Sequence, residues 1–150
     1  MQPARDVQFP AGGLHLTFTA SPFDVRDSLA QMLATPPLCD LPASMRGMAE
    51  LVLAEVLNNV AEHAYPAGPG PVTVTLTPVA GGTQCLIVDQ GLAMPGGRVP
   101  VGDLPSATTD VGDLPEGGFG WHLIHSLTRD LTYQRTGACN RLSFLLPNEG

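Results

Sequence analysis

The sequence predicts an α+β domain, a two-layer sandwich in which a mixed, mostly antiparallel sheet is covered on one face by about three helices. Two observations carry this prediction. Segments with alternating apolar residues, typical of half-buried strands, follow each other in pairs with short turns between them. Segments with helical apolar spacing lie between these pairs, which leaves little opportunity for parallel βαβ crossovers. The 150 residues, 43% of them apolar, are expected to form a single domain over 1–150 with one core.

The first half of the chain predicts one strand and two helices. Alternating apolar side chains over 14–18 indicate the strand. Ser21 and Pro22 then supply an N-cap and a first-turn proline, so a helix is expected to begin there and to end at the double proline that follows. A longer helix is expected over 43–65, because its apolar residues form one continuous stripe and a proline comes directly after it.

The second half of the chain predicts two hairpins separated by a long loop and a third helix. Alternation over 72–76 and an apolar run over 85–88, with a Gly-Gly turn between them, indicate the first hairpin. The stretch 91–117 is rich in Gly, Pro and Asp and has no periodicity, which is typical of a functional lid. The remaining elements are a helix marked by apolar residues at 121, 123, 124 and 127, and strands around 131–135 and 142–146.

The charge of the chain limits its partners. Its net charge is −7, from fourteen acidic residues against seven basic ones, all of them arginine. This balance argues against a nucleic acid or an anionic membrane held by phosphate contacts, and a basic protein target suits it better. Because the chain contains no lysine, it has no P-loop lysine and no lysine Schiff base. Phosphate charge would have to be met by backbone N–H groups, arginine, histidine or a metal ion.

Three cysteines, Cys39, Cys85 and Cys139, form an odd set without metal-ligand spacing. We expect free buried thiols rather than a disulfide or a zinc site, which fits a reducing cytoplasm. The first residues lack a basic segment followed by an apolar run, and eighteen apolar residues never occur in succession. The sequence therefore predicts a soluble, cytoplasmic protein with no signal peptide and no membrane partner.

A polar stripe on the long helix contains candidate catalytic and metal-binding residues. Glu55 and Asn59 lie four residues apart and therefore project from one face, and Glu62 and His63 extend that stripe. The amide oxygen of Asn59 is a candidate ligand of Mg²⁺, which takes one or two protein oxygens and fills its other positions with phosphate and water. Glu55 is a candidate acceptor of a proton from a hydroxyl or water. The alternative for Glu55 is a solvated surface acid.

A second group follows the first hairpin. Asp89 ends a buried strand, and a buried carboxylate needs a specific partner because an unpaired charge is costly to bury. An adenine amino group would be such a partner. Gly91, two residues later, permits either a close approach to the backbone or a positive φ, and it could also be an ordinary turn glycine.

A third group precedes the third helix. In the run Gly117-Gly118-Phe119-Gly120, free N–H groups and the helix dipole would create an anion site without a lysine. A flexible lid hinge is the alternative, and the two are compatible. His122 and His125 lie three residues apart on this helix, but no third ligand is near them in sequence, so a metal site is not expected there.

Taken together, these motifs resemble the Bergerat-type ATPases shared by gyrase, MutL and histidine kinases, and most closely the small anti-sigma-factor serine/threonine protein kinases of bacteria. The resemblance covers nearly the whole chain. Three of its segments carry the likeness: the N box Glu55-x-x-x-Asn59 with its extension through His63, the adenine box Asp89-x-Gly91, and the glycine-rich box Gly117-Gly118-Phe119-Gly120-Trp121. Ala93 stands where a second adenine-box glycine is common, and Glu116 stands where several relatives carry a basic residue.

The resemblance implies a Bergerat ATP-binding fold with its ATP lid at about 91–117 and with ATP and Mg²⁺ as cofactors. It implies that Asn59 binds Mg²⁺ and that Glu55 is the general base. The cofactor-binding residues that it implies are Asn59, His63, Asp89, Gly91, Ala93, Gly117, Gly118, Phe119, Gly120 and Trp121.

The function that the resemblance implies is that of a serine/threonine protein kinase. Such a kinase would phosphorylate an anti-sigma-factor antagonist protein, release a sigma factor, and form a homodimer. An ATP-gated interaction module with weak catalysis is the alternative, favoured by the acid at Glu116 beside the triphosphate. A detached histidine-kinase catalytic domain is a third interpretation, but the chain lacks a dimerisation helix pair bearing an acceptor histidine.

Overall fold

The structure is a computed structural model that describes residues 6–8, 12–100 and 118–148. Six strands form one sheet in the order β1-β2-β3-β4-β6-β5, and all five described strand pairings are antiparallel. The strands are β1 (Asp6–Gln8), β2 (Leu14–Thr19), β3 (Pro71–Val79), β4 (Gly82–Asp89), β5 (Arg129–Thr136) and β6 (Cys139–Pro147). The helices are α1 (Pro22–Leu33), α2 (Ala43–Asn59) and α3 (Gly118–Leu127). The predicted α+β architecture is confirmed; β1 was not anticipated.

The start of α1 follows the sequence signals. The Ser21 hydroxyl accepts a hydrogen bond from the backbone N–H of Asp24 at 3.4 Å, and Pro22 occupies the first helical turn. One face of α1 is buried against the rest of the fold through Val25 and Met32. The chain then reaches α2 through a single 3₁₀ turn at Leu38–Asp40.

The long helix changes its geometry near its end. After Asn59 the α-helical pattern gives way to a π turn over Val60–Ala64, and the N–H of Tyr65 bonds the carbonyl of Val60 at 3.3 Å. The predicted helix over 43–65 is therefore correct in extent but contains two helix types. π turns inside helices are frequent at functional sites, because they redirect the side chains that flank them. This one leaves the carbonyl of Ala64 free to bond the N–H of Leu92 at 2.8 Å.

The sheet buries one face under the helices. Alternate residues of β2, β3, β4 and β6 point to this face, as the period of two requires. The buried core of the sheet consists of Leu14, Leu16, Phe18, Val72, Val74, Leu76, Cys85, Ile87, Leu142, Phe144 and Leu146. Helix α2 adds Val52, Leu53, Val56 and Leu57 to it, and α3 adds Trp121 and Ile124. The opposite face carries half-buried, largely polar residues such as Thr73 and Thr75.

Strand register decides what meets at the end of the sheet. Asp89, the last residue of β4, lies opposite Val72 on one side and Asn140 on the other. This end of the sheet lies beside the π turn, since Leu92 bonds Ala64.

None of the described helices is long and apolar enough to span a membrane.

Candidate functional site

A cavity of about 480 Å³ lies between the end of α2 with its π turn, the end of β4, helix α3 and the β5–β6 hairpin. Its wall is predominantly apolar. The apolar residues of the wall include Val56, Val60, Ile87, Met94, Trp121 and Leu142. Its polar lining consists of Asn59, His63, Asp89, Tyr133 and Asn140. A concave, mostly apolar pocket with a few converging polar groups has the character of a small-molecule site.

Asp89 lies buried at one end of this pocket, with 6% of its surface exposed. Its Oδ1 accepts hydrogen bonds from the N–H of Gly91 at 2.9 Å and from Nδ2 of Asn140 at 2.7 Å. These two bonds compensate for part of the burial of the charge. The hydrogen bonds that the described residues donate to this carboxylate both go to Oδ1, so Oδ2 is the oxygen left to accept from a ligand.

Gly91 is required by close packing. A Cβ at this position would lie 2.3 Å from the carbonyl oxygen of Ala64 and 2.6 Å from its carbonyl carbon. Its φ is not positive, so the conformational freedom of glycine is not the reason for its presence. The sequence left open a close backbone approach, a positive φ or an ordinary turn glycine. The structure has the close backbone approach, between Gly91 at the start of the predicted lid and Ala64 of the π turn. Ala93, two residues later, is exposed and also lines the pocket.

Asn59 is the last residue of α2, on a different element from Asp89. It lines the pocket, and its Nδ2 is buried without a hydrogen-bond partner among the described residues. Its neighbour Asn58 is exposed to solvent, so the two adjacent asparagines face different environments. An unpaired buried amide is unfavourable, which indicates a group meant to meet a ligand.

The unpaired atom is the amide nitrogen, a donor that suits a phosphate oxygen. The amide oxygen of the same side chain is the atom that would hold a magnesium ion, which takes most of its other ligands from phosphate and water. The fit rests on Asn59, because the described residues hold no group of three or more His, Cys, Asp or Glu side chains that could bind a metal by themselves. His63 also lines the pocket; its side chain is 64% exposed, and its Nε2 lies 3.7 Å from Oε2 of Glu62.

Glu55 lies against the first turn of α3. A Cβ on the buried Gly120 would come within 2.4 Å of Oε2 of Glu55, so a side chain there would displace the carboxylate. Glu55 is half-buried rather than fully solvated, and it does not line the cavity. Gly118 and Phe119 belong to the backbone of α3, whereas Gly117 and Glu116 lie outside the described residues.

Trp121 completes the link between α3 and the pocket. Its side chain is 8% exposed, belongs to the core and lines the cavity. The structure therefore brings together seven of the expected cofactor-binding positions. Asn59, His63, Asp89, Ala93 and Trp121 line the cavity, Gly91 packs beside it, and Gly120 makes room for the candidate base Glu55.

The sequence matches the histidine kinase-like ATPase domain family over residues 18–146. The chain belongs to this family. Among solved structures it is similar to the histidine kinase domain of the blue-light activated histidine kinase EL346 from Erythrobacter litoralis, with 20% identity and a TM-score of 0.44. That match covers 71% of this chain and 46% of the other, so the chain spans less than half of that histidine kinase chain. No curated protein matches the sequence. Membership of this ATPase domain family supports ATP as the nucleotide.

Two pocket residues of this ATPase domain were missed in the sequence. Tyr133 and Asn140 line the cavity from β5 and β6, although the predicted strands around 131–135 and 142–146 leave Asn140 between them. Asparagine is unfavourable in strands, and a buried one needs specific partners. A residue with low strand propensity directly before the alternating apolar residues Leu142, Phe144 and Leu146 was the available signal.

Tyr65 supports the same end of the pocket. Its hydroxyl donates to the carbonyl of Pro71 at 2.6 Å and accepts from the N–H of Gln90 at 2.7 Å. Burial raises the pKa of this phenol, and the nearby Asp89 charge raises it further, while the bond from Gln90 lowers it. The hydroxyl therefore stays protonated and ties the end of β4 to the start of β3.

The cysteines differ from expectation in one respect. All three are free thiols, but only Cys85 is buried, while Cys39 and Cys139 are half-buried. The expectation of buried thiols was therefore wrong for two of the three. Burial strongly raises the pKa of the Cys85 thiol, which makes it unreactive at neutral pH.

Proposed function

We propose that this protein binds Mg-ATP in the cavity and transfers the γ-phosphoryl group to a serine or threonine of an antagonist protein, as an anti-sigma-type regulator. The observation that carries the proposal is that Asp89 and Asn59, from two different elements, line one apolar pocket, with Glu55 one helical turn from Asn59. Asp89 supplies a hydrogen-bond acceptor for a base, Asn59 supplies a ligand for a metal ion, and Glu55 supplies an acceptor for a proton.

In this proposal Asp89 accepts a hydrogen bond from the amino group of adenine, and the apolar wall around Ile87 and Leu142 packs against the ring. Gly91 allows the chain to pass close enough to the π turn for this geometry to form. Asn59 holds Mg²⁺, which supplies charge neutralisation on the phosphates when it is bound. Because the chain has no lysine, the remaining positive potential comes from the N-terminus of α3 and from Arg98.

The transfer needs little from the protein beyond positioning and charge. The hydroxyl oxygen of the substrate forms a bond to the γ-phosphorus as the bond to the β,γ-bridging oxygen breaks, and ADP leaves. Glu55 accepts the proton of the hydroxyl. Gly120 supports this role because its missing side chain lets the carboxylate of Glu55 lie against the first turn of α3, at the end of the helix where an anion is stabilised.

The experiment is a phosphotransfer assay on wild type and Glu55→Ala with Mg-ATP and a candidate antagonist protein, read by intact mass for one added phosphate. We expect transfer by the wild type and its complete loss in Glu55→Ala, with ATP binding retained. Glu50→Ala, an exposed acid on the same helix, is the matched control and should leave transfer unchanged. Unchanged transfer by Glu55→Ala would remove Glu55 from this role.

An ATP-gated interaction module with weak or no catalysis is the second candidate. Glu116 favours it, because an acid close to the triphosphate repels it unless it points away or helps to hold the metal. The same assay separates the two candidates: the module binds Mg-ATP and changes its affinity for the partner without any added mass. Under either function we propose a cytoplasmic homodimer whose partners are an antagonist protein, a sigma factor, or both.

A further inference from the structure

Asn140 is the centre of a hydrogen-bond network at the Asp89 end of the pocket. Its Nδ2 donates to Oδ1 of Asp89 at 2.7 Å and to the carbonyl of Leu92 at 2.8 Å. Its Oδ1 accepts from the hydroxyl of Tyr133 and from the guanidinium of Arg135, the latter at 3.0 Å. An asparagine amide has two N–H donors and two acceptor lone pairs, so the protein satisfies all four.

The network also determines which way the amide points. In the reverse orientation the amide oxygen would face the carboxylate of Asp89 and the carbonyl of Leu92, while the NH₂ group would face the guanidinium of Arg135. Acceptors would then oppose acceptors and a donor would oppose a cation. Asn140 is therefore held in one orientation by groups on both sides, and it is 4% exposed.

The same network holds the backbone that follows Asp89. The carbonyl of Gly91 accepts from Arg135 at 2.6 Å, and the N–H of Met94 donates to the hydroxyl of Tyr133 at 3.0 Å. Together with the bond from Asn140 to Leu92, these contacts tie the segment Gly91–Met94 to the β5–β6 hairpin. The first residues of the predicted lid are thus anchored through their backbone.

We propose that Asn140 is a positioning residue for base selectivity: it saturates Oδ1 of Asp89 and thereby leaves Oδ2 as the acceptor that the pocket presents to a base. Asn140 has no hydrogen-bonding capacity left for the ligand, so it acts only through Asp89. A presented acceptor favours a base edge carrying an amino group, such as adenine, over one carrying a carbonyl at the same position, such as hypoxanthine. This inference rests on the proposed binding of ATP.

The test compares the affinities of ATP and ITP, which differ in that amino group, by calorimetry on the full chain. Asn140→Val removes the donor. Asn140→Thr introduces a side chain of nearly the same shape as valine but with a hydroxyl that can donate to Oδ1. Both replacements are β-branched and suit a strand. We expect the ATP-to-ITP preference to fall about tenfold in Asn140→Val, the size of one lost hydrogen bond to a charged group, and at most about threefold in Asn140→Thr. ITP affinity should change little in either variant.

Two controls separate positioning from general loosening. Thr132→Val removes a hydrogen bond to Ser143 across the same β5–β6 hairpin, away from the cavity lining, so its ATP-to-ITP preference should remain within about threefold of wild type. Arg141→Gln changes an exposed residue next to Asn140 and should have no effect. Thermal unfolding of each variant checks that it is folded.

The outcomes distinguish the inference from the function on which it rests. If the wild type binds neither nucleotide, the proposed function fails, and this inference fails with it. If the wild type prefers ATP and Asn140→Val keeps that preference, only the role of Asn140 is refuted. An equal loss in Thr132→Val would also refute it, because that variant leaves the carboxylate contact in place. If Asn140→Val does not fold, Asn140→Leu, which keeps the branching of asparagine at Cγ and also removes the donor, takes its place: a tenfold fall in its ATP-to-ITP preference supports the role, and a retained preference refutes it.

Discussion

The two ends of the pocket are built differently. At the Asp89 end, comprising Asp89, Asn140 and Tyr133, protein groups occupy the hydrogen-bonding positions of the amide and one oxygen of the carboxylate. At the Asn59 end, which comprises Asn59 of the lining and, outside the lining, Glu55 and Gly120, the amide nitrogen of Asn59 is buried without a partner among the described residues. At the Asp89 end only Oδ2 of the carboxylate is left for a ligand, whereas at the Asn59 end the amide nitrogen has no partner at all among the described residues.

The proposed function gives a reason for this difference, because it assigns the base to Asp89 and the metal-bound phosphates to Asn59. A base has a rigid edge, so a preorganised acceptor recognises it best, because no ordering is needed at binding. A metal-bound phosphate chain brings its own charges and waters, and an unpaired amide, which costs about 1–3 kcal/mol when buried, becomes satisfied when they arrive. The Asp89 end should therefore control selectivity, and the Asn59 end should control dependence on magnesium.

The largest expected effect is that of Asp89→Asn. In one orientation the NH₂ group of the new amide faces the amino group of adenine. In the other orientation the NH₂ group faces Nδ2 of Asn140 and the N–H of Gly91. Donors oppose donors in both cases, so we expect ATP affinity to fall by about 100-fold or more, with and without magnesium. Calorimetry measures it, and Asp130→Asn, at an exposed position with φ 57°, is the control. ATP affinity within threefold of wild type would contradict the assignment of the base to this end.

Asn59→Ala should have the second largest effect, confined to the contribution of magnesium. Millimolar Mg-ATP at ~100 times its dissociation constant adds about 2.7 kcal/mol, which should raise the unfolding midpoint of the wild type by roughly 5 to 10 °C. We expect Asn59→Ala to lose the magnesium-dependent part of this rise. Its neighbour gives the control, since the exposed Asn58→Ala should retain the full rise. A magnesium-dependent rise in the unfolding midpoint of Asn59→Ala would show that Asn59 does not hold the metal.

The smallest expected effect is that of Tyr65→Phe, which removes two hydrogen bonds beneath the Asp89 end. We expect the free energy of unfolding at pH 7 to fall by about 1–2 kcal/mol, measured by urea denaturation. The pKa of Tyr65 is raised in the folded protein, chiefly by burial. The contribution of its hydroxyl is therefore fully present below about pH 10, the pKa of an unperturbed tyrosine, and is lost as the pH rises through the folded pKa. The stability difference between wild type and Tyr65→Phe should shrink above pH 10; a constant difference would contradict this.

Most of the fold and much of the candidate site could be predicted because their signals are local. Strand alternation, the cap at Ser21 and the spacing of Glu55 and Asn59 each depend on a few neighbouring residues. Those signals located the elements and nominated Asp89. The short strand β1 was missed because three residues carry too little periodicity to be recognised.

What the sequence by itself determined is the order of elements, the absence of lysine and the polar residues that α2 and β4 carry into one pocket. Only the tertiary structure decided the partners of those residues. Asn140 meets Asp89 across 51 positions because β4 and β6 pair in that register, and Gly91 is needed because the π turn brings Ala64 against it. Periodicity reports which face of an element is buried, whereas the atom that lies opposite depends on register and long-range packing, which no local pattern contains.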